Sequence, residues 1–339
     1  MDEHLHTPVT PFPISPKSSV SELVTKMAGT SFQARNLAQG AEIWSQMLKD
    51  EVTIFFGLAG AMIPAGMRSV MVYLIENRLI DCLVATGANL FHDLHESLGR
   101  FHYQGNPRAD DRELCKLGID RIRDVYMSDD EFVEGEGYIA EFSSSLDQDR
   151  PYTTREYLFL LGKKLCAEGK AEGILTSAAR ANIPIYCPAI GDSALGIGMA
   201  GGRVKKQNKL LFDIVQDVIE ITQIAVSAPA TGVIYVGGGT PKNFIQQAEV
   251  TSYIFGKELE GHKYAVQITT DSPQWGGLSG CTFEEGKSWG KEAPSARMVT
   301  INSDATIALP IIVSALAETA TKRRNLPTFV LDRELKVEN

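Results

Sequence analysis

A doubly wound α/β fold is predicted by three features of this 339-residue sequence. Short apolar runs rich in β-branched and aromatic residues alternate with longer stretches of helical period. The runs are apolar on both faces, as strands covered by helices on both sides must be. They lead into helices rather than hairpins, so the chain crosses over and the strands pair in parallel. The expected architecture is α/β: a doubly wound, mostly parallel, Rossmann-like sheet with helices on both faces.

The elements follow in chain order. Pro8, Pro11, Pro13 and Pro16 mark residues 1–30 as an N-terminal arm with a short helix near Val20–Met27, loose or docked on a neighbouring subunit. Residues 36–49 form an amphipathic helix through Leu37, Ala41, Ile43, Trp44, Met47 and Leu48. The run 52–58 (VTIFFGL) is a strand that enters the small-residue loop Gly57-Leu58-Ala59-Gly60-Ala61. Pro64 opens a helix reaching Asn77, since proline suits a first helical turn. Residues 79–85 (LIDCLVA) make the next strand, followed by Thr86-Gly87-Ala88-Asn89 and a second helix. The polar stretch 103–149 reads as an irregular peripheral insertion. Helices over 153–168 and 173–182 precede a strand at 183–186, and a strong amphipathic helix covers 208–222. Strands at 231–236, 264–269 and 298–302, a helix from Pro241 and a last helix over 305–318 complete the pattern. No internal linker is visible, so residues 31–325 are expected to form one domain, followed by a tail at 326–339.

Composition narrows the function. The formal net charge of −9 argues against nucleic acid as a partner, because phosphate binding needs clustered basic residues. A membrane span needs about 20 apolar residues; the longest candidate, 307–317, is short and broken by Pro310. The acidic start resembles no leader peptide, and a cytoplasmic location is the expectation. The five cysteines, Cys82, Cys115, Cys166, Cys187 and Cys281, form no CxxC pair, so neither a disulfide framework nor a zinc site is expected. Four of them sit among apolar or small residues and read as buried filler. His92-Asp93-Leu94-His95-Glu96 has its histidines at i and i+3 and departs from the HExxH zinc pattern, so no metal is expected.

The chemistry of a parallel sheet lies beyond the carboxyl ends of its strands. Five such ends carry small or polar groups: Gly60-Ala61, Thr86-Gly87-Ala88-Asn89, Asp192, Gly237-Gly238-Gly239 and Thr270-Asp271. Five loops of this kind on one edge suit a large ligand such as a dinucleotide. No GxGxxG follows the first strand and no P-loop occurs. A second cluster is Glu284-Glu285-Gly286-Lys287-Ser288-Trp289-Gly290-Lys291. A lysine beside an indole in a dry pocket can act as an amine nucleophile toward an imine or carbonyl; alternatively both lysines are solvated and Trp289 is packing.

The segment GKSWGK (286–291), within YAVQITT…SGCTFEEGKSWGK, resembles the active-site segment of the deoxyhypusine synthase family. So do VGGGTPKNF (236–244), LLFDIVQD (210–217), NIPIYCPAIGDSALG (182–196), AGMRSVMVYLIENRLIDCLVATGAN (65–89) and SDATIALP (303–310), collinear over residues 31–320. The family also contains the homospermidine synthases. The resemblance implies an NAD-dependent aminobutyl transferase. Spermidine is oxidised at an amine carbon, diaminopropane leaves, and a lysine carries the aminobutyl group as an imine. An acceptor amine then takes the group, and retained NADH reduces the product. Lys291 matches the imine-forming lysine, Trp289 the pocket indole and Glu285 a carboxylate that holds a substrate amine. Asp192 and Asp304 match acids that contact NAD. Gly60, Ala61, Thr86, Gly87, Ala88, Gly238, Thr270, Asp271 and Ala305 fall at cofactor-contact positions, with Gly60-Ala61 replacing the family's Ser-Asn. A homotetramer with active sites at subunit interfaces is likewise implied.

The sequence departs from the family at its amine-binding positions. Ile197 stands for an acid, Asn243 for a histidine, Leu278 for an aspartate and His92 for a glutamate. An ammonium left unpaired in such a pocket costs on the order of several kcal/mol. The expectation is imine transfer on an altered small amine, homospermidine synthase-like, with His92 and Asn243 still lining the substrate site. A flat guanidinium stacked on Trp275 is one such substrate. The alternatives are a true deoxyhypusine synthase modifying a translation-factor lysine, and a non-catalytic NAD-binding protein.

Overall fold

The computed structural model describes residues 6–206, 208–320, 323 and 325–338. Its main sheet has six strands: β1 (Thr53–Leu58), β2 (Cys82–Ala85), β3 (Ile185–Tyr186), β4 (Thr231–Val236), β5 (His262–Thr269) and β6 (Glu292–Asn302). They lie side by side in the order β6-β5-β4-β1-β2-β3. Every pairing is parallel. This is the doubly wound order in which a crevice opens where the two halves diverge, here between β1 and β4. All six residues of β1 and all six of β4 are buried, which explains why both read as continuous apolar runs.

Thirteen helices surround the sheet among the described residues. They are α1 (Val20–Met27), α2 (Phe32–Met47), α3 (Arg68–Glu76), α4 (Gly87–Ser97), α5 (Asp111–Lys116), α6 (Asp129–Ser145) and α7 (Thr154–Ala167). Then come α8 (Ile174–Ala181), α9 (Ala194–Lys206), α10 (Ile214–Ser227), α11 (Gly239–Val250), α12 (Phe283–Lys287) and α13 (Ala305–Thr319). One face of the sheet packs Phe56, Val266 and Ile301 against Trp44 of α2 and Leu309 of α13. The other packs Phe55, Val233 and Tyr235 against Ile224 of α10 and Ile245 of α11. None of the described helices is long and apolar enough to cross a membrane.

Several elements differ from expectation, each for a physical reason. The insertion at 103–149 is ordered: Tyr103–Gln104, Val125–Ser128 and Ile119–Ile122 form a small antiparallel sheet, and α6 runs for 17 residues. Helix α6 hides behind Gly135 and Gly137, and α9 behind four glycines, Gly196, Gly198, Gly201 and Gly202. Gly135, Gly196, Gly198 and Gly202 trade helix propensity for close packing. A β-carbon on Gly198 would fall 2.8 Å from the Glu136 carbonyl, and one on Gly202 3.2 Å from Ala140. The helix expected at 208–222 starts later, at Ile214, because Asp213 caps it by accepting from the Gln216 N–H at 2.9 Å. Pro64 opens a π-helical turn, Ile63–Met67, broken by Gly66 at φ 85° before α3 begins. Buried filler describes Cys82 and Cys187 only; Cys166 and Cys281 are half-buried and Cys115 is exposed.

Helix α1 and the segment 328–338 are both tied to the core. Glu318 of α13 accepts from the Val20 and Ser21 N–H groups at 3.1 and 3.0 Å, which seats α1 on its own chain. Residues 328–338 form a two-stranded hairpin with Phe329, Leu331 and Leu335 buried. The fully buried Arg155 donates to the carbonyls of Leu331 and Asp332, both at 2.7 Å, and pairs with Glu220 at 2.8 Å.

Candidate active site

The small and acidic residues expected to hold a cofactor are strung along the carboxyl edge of the sheet. Gly60 and Ala61 follow β1, and Thr86, Gly87 and Ala88 lead from β2 into α4. Asp192 precedes α9, Gly238 caps α11, Thr270 and Asp271 follow β5, and Asp304 with Ala305 starts α13. Gly60, Ala61, Ala88, Asp192, Thr270, Asp271 and Asp304 are exposed there. Asn89 stitches two of the loops: its side-chain amide donates to the Gly60 carbonyl at 2.7 Å and the Thr86 hydroxyl at 2.9 Å. Gly87 is required by close approach, since a β-carbon would sit 2.3 Å from the Ser193 hydroxyl. The Asp304 carboxylate has a second duty: it caps α13 by accepting from the Thr306 N–H at 2.8 Å and hydroxyl at 2.7 Å.

A different set of residues meets in a cavity of about 650 Å³ beside α11. Lys291, Trp289, Glu285 and Asn243 line it together, with Leu278 and Tyr253. Lys291 comes from the turn between α12 and β6. Its backbone N–H donates to the Gly286 carbonyl at 3.0 Å, and its carbonyl accepts from His262 N–H at 2.9 Å. The ammonium Nζ lies 3.4 Å from Asn243 Oδ1 and 5.6 Å from the Trp289 ring centre. Glu285 belongs to a capping box, accepting from the Thr282 N–H at 2.6 Å while its own N–H donates to the Thr282 hydroxyl at 3.1 Å. That backbone donor holds the Glu285 carboxyl below its usual range. One carboxylate and one amine in a cavity walled by indole, phenol and leucine can hold a short alkylammonium against the lysine.

The loop 272–282 that roofs this cavity rests on two buried side chains that the sequence reading did not single out. Gln267 on β5 donates to the carbonyls of Gly237 and Ser279, both at 2.8 Å. Lys242 on α11, fully buried, donates to Gln267 Oε1 at 2.9 Å and to the Cys281 carbonyl at 2.5 Å. Burial lowers the Lys242 pKa. The signal was present in the order Gly-Gly-Gly-Thr-Pro-Lys: a lysine on the first turns of a helix that leaves a buried strand.

The cavity of Lys291 is lined by none of the strand-end residues expected to hold cofactor. Asp271 lines a neighbouring pocket of about 310 Å³, which shares Pro273 and Cys281 with it. His92 is elsewhere. It is buried on α4, shares a 2.8 Å hydrogen bond with His102, and packs on Phe132. Burial, together with His102 and His95, pushes its pKa down to about 3. His95 is pushed down to about 4, again chiefly by burial. Ile197 is exposed on α9 and stands apart from the cavity, whereas Leu278 lines it. Among the described residues no cluster of His, Cys, Asp or Glu is arranged to hold a metal.

Fold and site together define a class: a doubly wound α/β protein with a lysine-bearing cavity beside its sheet. The family model for deoxyhypusine synthase matches residues 22–316. A "Probable deoxyhypusine synthase 2" of Methanosarcina mazei is 51% identical over 96% of this chain and 95% of its own length. Another, of Archaeoglobus fulgidus, is 47% identical over 89% of this chain and 99% of its own. The crystal structure of a "putative deoxyhypusine synthase" from Entamoeba histolytica aligns with a TM-score of 0.62 over 94% of this chain and 99% of that one, at 21% identity, a likeness of fold. The chain belongs to the deoxyhypusine synthase family, a family of transferases.

Proposed function

We propose that the protein is an NAD-dependent aminoalkyl transferase that works through an imine on Lys291 and takes a small amine as acceptor. The observation that carries this reading is the meeting of Lys291, Trp289, Glu285 and Asn243 in one cavity with the apolar Leu278. The edge residues fit a dinucleotide. Gly60 and Gly191 are exposed, with no protein heavy atom closer than 3.6 Å to a β-carbon placed on either. The exposed Asp192 carboxylate offers an acceptor for ribose hydroxyls. Hydride storage is the chemistry NAD supplies when bound, taken from the donor's amine carbon and returned to the product.

The protein's own groups do the rest. Glu285 pairs the substrate ammonium and Trp289 faces its alkyl chain. Asn243 orients the Lys291 amine through Oδ1. Lys291 Nζ adds to the imine carbon of the oxidised donor and expels the departing amine. The acceptor amine then adds to the Lys291 imine and displaces the lysine. Leu278, apolar where the family carries an acid, favours an amine without a second charged end at that wall. Tyr253 and Trp289 on the cavity wall, and Trp275 on the loop beside it, are more than half exposed, which supports a homotetramer whose subunits cover the site.

The names of the relatives favour a second reading, modification of a lysine on a translation factor. One assay separates the two. The protein is incubated with NAD and with spermidine, putrescine, agmatine or a lysine-bearing protein acceptor, and products are read by mass spectrometry beside Lys291→Ala. A small-amine adduct that vanishes in the variant is expected. Transfer only to the protein lysine selects the second reading, and no product from any pair overturns both.

A further inference from the structure

One buried acid in the molecule is only half satisfied by hydrogen bonds. Glu292 follows Lys291 directly and is 1% exposed. Its side chain turns back under the lysine turn: a β-carbon on Gly286 would lie 1.8 Å from Glu292 Oε2. Oε1 accepts from the Gln246 side-chain amide at 2.6 Å, and Oε2 has no hydrogen-bond partner. Burial raises the carboxyl's pKa. His262, the Cα partner of Glu292 in the sheet, is also fully buried with Nε2 unpartnered. Glu292 acts through space on the buried Lys242 and on Lys291, raising the Lys242 pKa against the effect of burial, yet that countercharge leaves Oε2 without a hydrogen-bond donor.

Its connections lead to Lys291. Gly286, which the carboxyl underpins, supplies the carbonyl that holds the Lys291 N–H at 3.0 Å. His262 holds the Lys291 carbonyl from the other side. Helix α11 presents Asn243 to the Lys291 ammonium and, three residues on, Gln246 to Glu292. These two residues sit on one face of the helix. The same helix thus grips the lysine's head and the residue behind its backbone.

We propose that Glu292 and Gln246 are a positioning pair that sets the reach and orientation of Lys291, resting on the reading of Lys291 as the reacting amine. The test labels Lys291 with pyridoxal phosphate and borohydride and follows the rate by peptide mass spectrometry from pH 6 to 9. The labelling needs no substrate, so failure of the proposed reaction leaves that readout, and the decision it carries, untouched. In Glu292→Ala and Gln246→Ala, labelling and kcat are expected to fall about tenfold each, with KM within twofold. Glu292→Gln, which keeps a partner for Gln246, should label within threefold of the native protein. Gly286→Ala should mimic Glu292→Ala, and the double variant should be no worse than either alone, because both disturb one contact. Native labelling rates and pH profiles in Glu292→Ala and Gln246→Ala, with only a lower Tm, overturn the pair as a positioning device. So does a Glu292→Gln protein as slow as Glu292→Ala, or a fully additive double variant. If Glu292→Ala fails to fold, Gln246→Ala carries the same decision.

Discussion

Asp93 and Glu292 are both carboxylates buried beside helices, one in the β1–β3 half of the molecule and one in the β4–β6 half. Asp93 is fully matched: Oδ1 accepts from Arg68 Nε and Ile174 N–H, both at 2.8 Å, and Oδ2 accepts from Leu175 N–H at 2.9 Å. It ties α4 to the start of α8 with a cation in attendance. Glu292 has one neutral donor and one bare oxygen, and Lys242 and Lys291 reach it only through space, with no hydrogen bond. The difference separates two uses of a buried charge. A completed set of partners marks a group that holds elements together; an incomplete set beside a reactive side chain marks one retained for what it positions.

The comparison can be broken at several points. The largest expected effect is on activity alone. Lys291→Ala should abolish transfer, a loss on the order of a thousandfold or more, with Tm within about 2 °C because the side chain lines an open cavity. Assay and calorimetry on one preparation decide it. Next comes stability alone. Asp93→Ala removes the acceptor of two helix-start N–H groups and unpairs Arg68, and should cost about 3–5 kcal/mol in a urea titration. Replacing Glu292 and Gln246 together by leucine should leave stability within about 1 kcal/mol. Equal losses in the two experiments would erase the distinction between the two acids.

The histidines of α4 predict the acid limb. The unfolded chain protonates near pH 6.5, whereas folded His92 and His95 stay neutral down to about 3 and 4. Between those values the unfolded state binds more protons, so stability is whole above pH 6.5 and falls as the pH drops. Melts at pH 7.5, 6 and 5 should show the decline, and His92→Leu should make it shallower. The smallest effect is at Asp304. Loss of its cap on α13 in Asp304→Ala should cost about 1 kcal/mol, while Asp304→Asn keeps the cap. A loss of NAD affinity in the asparagine variant, by calorimetric titration, would assign the carboxylate a second role.

The main strands were legible because burial on both faces writes itself as unbroken apolar runs: 231–236 matches β4 residue for residue. Helices α6 and α9 were not, because their contact is made by glycines, whose local preference contradicts the helix they build. The cluster of Lys291, Trp289, Glu285 and Asn243 was legible through its motif, and the structure gathers those four. His92 was placed with them by position in the family pattern; within this chain it lies outside the cavity, clustered with His95 and His102. Gln246, Gln267 and Glu292 escaped notice because nothing in a lone sequence distinguishes a buried polar residue from a solvated one; Lys242 alone carried a signal, its place on the first turns of a helix leaving a buried strand. Their partners lie on other strands and helices.

Within one chain, every residue lining the Lys291 cavity comes from a single uninterrupted stretch, 243–291. Inheritance can act on that stretch as a unit. A crossover within the two flanking strands would graft a whole new cavity onto an unchanged edge of β1, β2 and β3.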